Sequence, residues 1–144
     1  MLREKKILSK RLGETSADLG ELKQACKYYD DVLDYFAEND CDTNWAKLCL
    51  AETHLLYGKA LFDFGYYEAA DDQITDDDSA IRGPRQHVDA AVKILDSKDL
   101  NGDGSFMGKV ESAKRSANIL LGKVWLNRGK EELALKYFKG RMKK

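Results

Sequence analysis

Apolar residues recur every three or four positions along most of the chain, which is the periodicity of helices that bury one face. The pattern predicts helices over residues 2–19, 22–37, 44–64, 85–98, 107–128 and 130–142. The chain has one proline in 144 residues and is 43% hydrophobic, a composition that favours long helices over strands. The sequence therefore predicts an all-α protein, in one domain large enough to have a core.

Glycines recur in three pairs, and the two glycines of each pair are seven residues apart. A small residue inside a helix lets a second helix pack closely, and a glycine at its end allows a left-handed cap. An alanine and then a large residue follow each pair at the same spacing. The three blocks are Gly13, Gly20, Ala25 and Tyr29; Gly58, Gly65, Ala70 and Ile74; and Gly122, Gly129, Ala134 and Phe138.

This spacing resembles the tetratricopeptide repeat, in which pairs of antiparallel helices stack. The resemblance implies a tetratricopeptide-type antiparallel helix-pair solenoid of about three repeats within a single domain, 1–144. The alternative is an ordinary helical bundle with glycines spaced by chance. The repeats are expected at about 2–38, 44–98 and 106–142, with a loop at 99–105.

The second repeat is interrupted between its two helices, because acidic residues, a glycine and the only proline separate them over residues 68–85. Acids in this insert outnumber bases, and such a run is usually a solvated loop. Beside a groove, the same run would focus a negative potential. The acids are Glu68, Asp71, Asp72, Asp76, Asp77 and Asp78.

The interruption gives the chain a more specific resemblance. The segments "AETHLLYGKALFDFG" and "SAKRSANILLGKVWLNRGKEELALKYF" resemble the second and third repeats of the interrupted tetratricopeptide histone chaperones, typified by the nuclear autoantigenic sperm protein. The helix "VDAAVKILDSKDL" resembles the segment that resumes after the acidic insertion of that family.

This resemblance implies a nuclear, and also cytoplasmic, chaperone that holds core histones without a cofactor. Histone three, alone or with histone four, would bind to an acidic groove and to the insert, with an attraction that salt weakens. For each expected contact, the alternative is a solvated or packing role. The expected contacts are Glu14, Glu52, Lys59, Phe62, Asp63, Lys123 and Asn127 on the inner helix faces, and Asp71, Asp72, Asp76, Asp77 and Asp78 in the insert.

A generic tetratricopeptide adaptor is the rival hypothesis. Such an adaptor would hold a short peptide, for example the acidic tail of a heat-shock chaperone, through bases on the inner helix faces. Lys10, Lys59, Lys123 and Asn127 lie roughly there, whereas the neighbouring acids disfavour an anionic ligand. Self-association is a further expectation, because a terminal repeat without a polar cap exposes an apolar face.

The stretch "SKDLNGDGSF" has the alternating acids of a calcium loop. Asp99, Asn101 and Asp103 occupy the first three ligand positions, and Gly104 fits the sixth. The twelfth position, however, is Val110 instead of a bidentate acid. The same residues also suit a tight connection between helices. The sequence favours a turn, with a calcium-regulated sensor as the alternative.

No catalytic or metal site is predicted. The two histidines, His54 and His87, have no nucleophile at a recognisable spacing, and the three cysteines, Cys26, Cys41 and Cys49, give no zinc signature. These thiols are expected to be reduced, with Cys26 and Cys49 buried. The net charge of −1 disfavours nucleic-acid binding, and no apolar run has the length of a membrane span. We therefore expect a soluble intracellular protein that is not an enzyme.

Overall fold

A computed structural model describes residues 2–39, 43–66 and 83–139, with side chains from residue 5 onward. These residues form helices and no strand, so the all-α prediction is confirmed for the part of the chain that is described. None of their helices is long and apolar enough to cross a membrane. The helices are α1 (Leu2–Asp18), α2 (Leu22–Glu38), α3 (Asn44–Asp63), α4 (Pro84–Leu95), α5 (Gly104–Asn127) and α6 (Glu131–Phe138).

Three turns after α1, α3 and α5 share one conformation. Gly20, Gly65 and Gly129 all have positive φ, between 79° and 91°. In each turn the glycine N–H and the following N–H donate back to carbonyls of the last helical turn, as in a Schellman motif. The predicted left-handed glycine caps are therefore confirmed.

Within each helix pair, a glycine of the first helix lies in close contact with the second helix. A Cβ atom at Gly13 would lie 2.6 Å from the ring of Tyr29 in α2, and one at Gly122 would lie 2.5 Å from the ring of Phe138 in α6. In the middle pair, Gly58 lies against Pro84 and His87 of α4. The predicted role of the small residue is confirmed in all three pairs.

The second pair consists of α3 and α4, which pack antiparallel although the chain between them is long. Residues 67–82 lie outside the described residues, and with them most of the predicted insert 68–85, including Ala70 and Ile74. The helix predicted over 85–98 is α4, which begins one residue earlier, at Pro84 of the predicted insert, and ends at Leu95. Gln86 Oε1 accepts from the Gly83 N–H and caps the start of the helix.

Consecutive pairs stack so that their first helices are neighbours: α1 contacts α3, and α3 contacts α5. The largest core cluster joins α3, α4 and α5 through side chains such as Leu48, Val88 and Leu121. Two smaller clusters, around Val32 and around Tyr29, join the first pair to α3. The first helices thus line one side of the molecule.

Candidate functional site

A groove with a volume of about 660 Å³ runs between the three first helices. Its floor is α3, where the buried Leu55 and the partly buried Leu56 line the groove, and its walls are α1 and α5. Apolar residues of α5 continue this floor on one side. The lining residues are Lys10, Arg11, Glu14, Thr15, Glu52, Leu55, Leu56, Lys59, Ser112, Ala113, Ser116, Ile119, Leu120 and Lys123.

Basic residues outnumber acidic residues in this groove, with four of the former and two of the latter. Lys10 Nζ lies 2.8 Å from Glu52 Oε1, so this pair neutralises itself across α1 and α3. Lys59 Nζ lies 3.0 Å from Asp63 Oδ2 one helical turn away. Arg11 and Lys123 form no ion pair with another described residue.

A smaller cleft of about 90 Å³ adjoins the groove at the ends of α1 and α3. Glu14, Asp18 and Asp63 line it together with the single base Lys59. The rings of Tyr29 and Phe64 form part of its wall. Bases therefore outnumber acids in the groove, whereas acids outnumber bases in the cleft.

Four of the seven contacts predicted on the helix faces line the groove, namely Glu14, Glu52, Lys59 and Lys123. Asp63 lines the smaller cleft. Phe62 packs against the main core, and Asn127 is exposed at the end of α5, so neither lines the groove. The predicted contacts Asp71, Asp72, Asp76, Asp77 and Asp78 lie outside the described residues.

The sequence did not single out several groove residues of α5. Ser112, Ser116 and Ile119 lie on one face with Lys123, at spacings of three and four residues. Arg11 of α1 was also not recognised as a groove residue. The helical spacing was the available signal, but small hydroxyl side chains gave no reason to prefer this face.

Polar groups of α2 and α3 connect the first and second pairs. The Tyr57 hydroxyl hydrogen-bonds with Asp30 and Cys26 of α2, and its ring packs 5.4 Å from that of Tyr29. Burial, with the nearby charges of Cys26 and Asp30, raises the pKa of Tyr57 well above its usual range. Burial likewise raises the pKa values of Asp30 and of the Cys26 thiol. Cys49 is buried as predicted, Cys26 is only partly buried, and Cys41 lies outside the described residues.

Both histidines are buried where α3 packs against α4. The Nδ1 atoms of His54 and His87 lie 3.0 Å apart in the protein interior, and the Tyr57 ring stacks on His87 at 4.3 Å. One nitrogen must donate and the other accept, so the two rings share one proton between these atoms. Among the described residues, no group of three or more potential ligands is placed to hold a metal ion.

The segment that resembles a calcium loop is the start of α5. Asp103 Oδ1 accepts from the Phe106 N–H at 2.8 Å, which makes it the N-cap of the helix. The Asn101 side chain accepts from the Gly102 N–H, and its backbone carbonyl accepts from the Asn44 side chain. These groups stabilise a turn, and α5 begins at Gly104, within the segment 99–110 that resembles a calcium loop.

Comparison with known proteins finds no family model, no curated protein and no solved structure that matches this chain.

Proposed function

We propose that this chain is a tetratricopeptide-like interaction protein that binds a segment of a partner protein in the groove between α1, α3 and α5. One observation carries the proposal: three successive first helices line a groove with an apolar floor and charged walls. Such a surface suits a peptide whose apolar side chains lie on the floor while its polar groups meet the walls. The proposed role of the protein is therefore binding, without catalysis.

The partner segment that suits the groove best is acidic. Among the groove residues, Arg11, Lys123 and Glu14 form no ion pair with another described residue, and the two bases lie on opposite walls. A carboxylate between them would form charge-assisted hydrogen bonds, and Ser112 and Ser116 would add hydroxyl donors on the α5 side. This chemistry corresponds to the adaptor hypothesis, with the acidic tail of a heat-shock chaperone as an example.

A histone chaperone is the second candidate, favoured by the acidic cleft beside the groove. Glu14, Asp18 and Asp63 would receive basic side chains of histone three or histone four there, next to the aromatic rings of Tyr29 and Phe64. The acids of residues 68–78 would add long-range attraction. If the protein is a histone chaperone, we expect it in the nucleus.

Titration with two ligands at two salt concentrations tests the proposal. One ligand is a labelled peptide with an acidic carboxyl-terminal segment, and the other is the refolded complex of histones three and four. We expect peptide binding that Arg11→Glu and Lys123→Glu each weaken by about tenfold, a loss of about 1.4 kcal/mol. Lys27→Glu, which makes the same charge change on α2 outside the groove, is the matched control.

Tight histone binding that survives moderate salt and is lost in Asp63→Lys would favour the second candidate. Histone binding that disappears with salt would indicate nonspecific charge attraction only. If neither ligand binds, or if Lys27→Glu weakens binding as much as Lys123→Glu, the groove is not the binding site.

A further inference from the structure

The repeat register allows exposed residues of the first and last helix pairs to be compared with equivalent residues that are packed inside the molecule. In the first pair, Ala17 of α1 and Cys26 and Tyr29 of α2 face α3. Counting from the glycines of each pair, Leu126, Leu135 and Phe138 hold the same positions in the last pair. We call these three residues the carboxyl-terminal face.

No described helix covers the carboxyl-terminal face. Tyr29 is 1% exposed, whereas the equivalent Phe138 is 43% exposed. Leu126 and Leu135 are each 51% exposed. These positions hold larger apolar side chains than Ala17 and Cys26, so the face offers more apolar surface than its covered counterpart.

At the opposite end of the described helices, α1 also exposes apolar side chains at positions that are buried or partly buried in the other repeats. On α3, Thr53 and Tyr57 face the first pair, and the equivalent positions on α5 are the buried Ala117 and Leu121. On α1 these positions are Leu8, which is 56% exposed, and Leu12, which is 38% exposed. We call Leu8 and Leu12 the amino-terminal face. The equivalent residues of α3 and α5 pack on the preceding helix pair, whereas Leu8 and Leu12 are exposed.

The charges of the two faces also complement each other. Leu22 and Leu56 lie in one apolar cluster where α3 packs on the first pair. In the repeat register, the residue of α1 equivalent to Leu56 is Arg11, and the residue of α6 equivalent to Leu22 is Glu131. An apolar pair inside the molecule is thus replaced by a base on one end and an acid on the other.

From this register we propose that a second copy of the chain docks head to tail, with its α1 packed on α5 and α6 of the first copy as α3 packs on α1 and α2. Leu8 and Leu12 of one copy then cover Leu135 and Phe138 of the other, and Arg11 pairs with Glu131. Because the two faces differ, the contact does not close by two-fold symmetry, and further copies add in the same direction.

Sedimentation of the full chain at low to high micromolar concentration tests this proposal. The average mass should rise with concentration beyond that of two chains. Leu8→Glu and Leu135→Glu, each at an exposed site, should stay monomeric and keep the helix content seen by circular dichroism. A mixture of the two variants should form a particle of two chains and no larger, because one intact face of each kind remains.

Matched variants separate this arrangement from other contacts. Tyr66→Glu alters an exposed apolar side chain outside both faces and should associate like the unaltered chain. Arg11→Glu and Glu131→Arg should each weaken association severalfold, and the double variant should restore it. A chain that remains monomeric at every concentration would overturn the proposal, as would a variant mixture that fails to pair or a double variant no better than the single ones.

Discussion

At the residue scale, three glycines inside helices differ in what a methyl group would meet. A Cβ atom at Gly13 would press on the Tyr29 ring, which is buried and held on its other side by Tyr57. At Gly122 it would press on Phe138, whose outer side is exposed. A close-packed ring cannot yield, whereas a partly exposed ring can move outward.

We therefore predict that Gly13→Ala lowers the free energy of unfolding by about 1–3 kcal/mol, because overpacking outweighs the gain of about 1 kcal/mol in helix propensity. Gly122→Ala should change it by less than about 1 kcal/mol. Gly108→Ala is the control, since its Cβ would meet nothing within 4 Å. Urea denaturation measures all three, and equal stability of the Gly13 and Gly108 variants would contradict this account.

The partly buried side chain of Tyr57 should make the fold sensitive to alkali. Its pKa is raised mainly by burial, so the folded chain keeps this proton at a pH where the unfolded chain has released it. Stability contributed by this group is present below the ordinary tyrosine pKa of about 10 and is lost as pH rises above it, by up to about 1.4 kcal/mol per pH unit.

Melting temperature as a function of pH checks this prediction. Tyr57→Phe should be less stable near neutral pH, by about 1 kcal/mol for the lost hydrogen bonding. It should also decline less steeply above pH 10, although Tyr29, whose pKa burial also raises, keeps part of the decline. Tyr66→Phe alters an exposed tyrosine and should follow the unaltered chain; an unchanged alkaline slope in Tyr57→Phe would refute the assignment.

At the scale of helices, periodicity and turn residues were enough to predict all six elements. The glycines that end α1, α3 and α5 were recognisable because left-handed caps need them. The start of α4 was less predictable: Pro84 was read as part of the insert, yet proline suits the first turn of a helix. That α4 packs on α3 depends on contacts between residues distant in sequence.

Residue roles on a helix face were less predictable than the helices themselves. The repeat register put Phe62 and Lys59 on the same inner face, but Phe62 packs on the main core while Lys59 lines the groove. A large apolar side chain gains more from burial than from a place in a charged groove. Asn127, the last residue of α5, lies beyond the groove, and the register alone did not show where the groove ends.

The helix start at Gly104 leads to a prediction about calcium. Asp103 caps α5, so Asp103→Ala should lower the free energy of unfolding by about 1 kcal/mol. Millimolar calcium should leave the melting temperature of the unaltered chain unchanged, because this carboxylate and the Asn101 carbonyl already hold the turn. Asp99→Asn, at an exposed position of the same segment, should change neither quantity.

A calcium-dependent rise in melting temperature that Asp99→Asn abolishes would contradict this prediction. It would mean that the segment rearranges into a binding loop despite Val110 at its twelfth position. Equal destabilisation by Asp99→Asn and Asp103→Ala would show that the cap is not the main role of Asp103.

At the scale of the whole molecule, stability is distributed unevenly along the stack of helix pairs. The main core ties α3, α4 and α5 together, whereas the first pair is joined to α3 by two smaller clusters. In α6, a short helix, Ala134 is the one fully buried side chain among the described residues. In such an array, each pair is stabilised mainly by its neighbours, so the end pairs open first.

Native-state hydrogen exchange should resolve this gradient. At low protein concentration, backbone amides of α6 and then α1 should exchange through the smallest opening free energies, and those of α3 and α5 through the largest. Raising the concentration should then slow exchange in α1 and α6 selectively, because head-to-tail docking buries Leu8 on one copy and Phe138 on the next.

Uniform protection along the chain would mean that the pairs unfold as one unit, and a concentration effect confined to α3 would place the contact in the groove instead. Leu135→Glu separates the two influences, since it should abolish the concentration effect while leaving the gradient of the single chain in place.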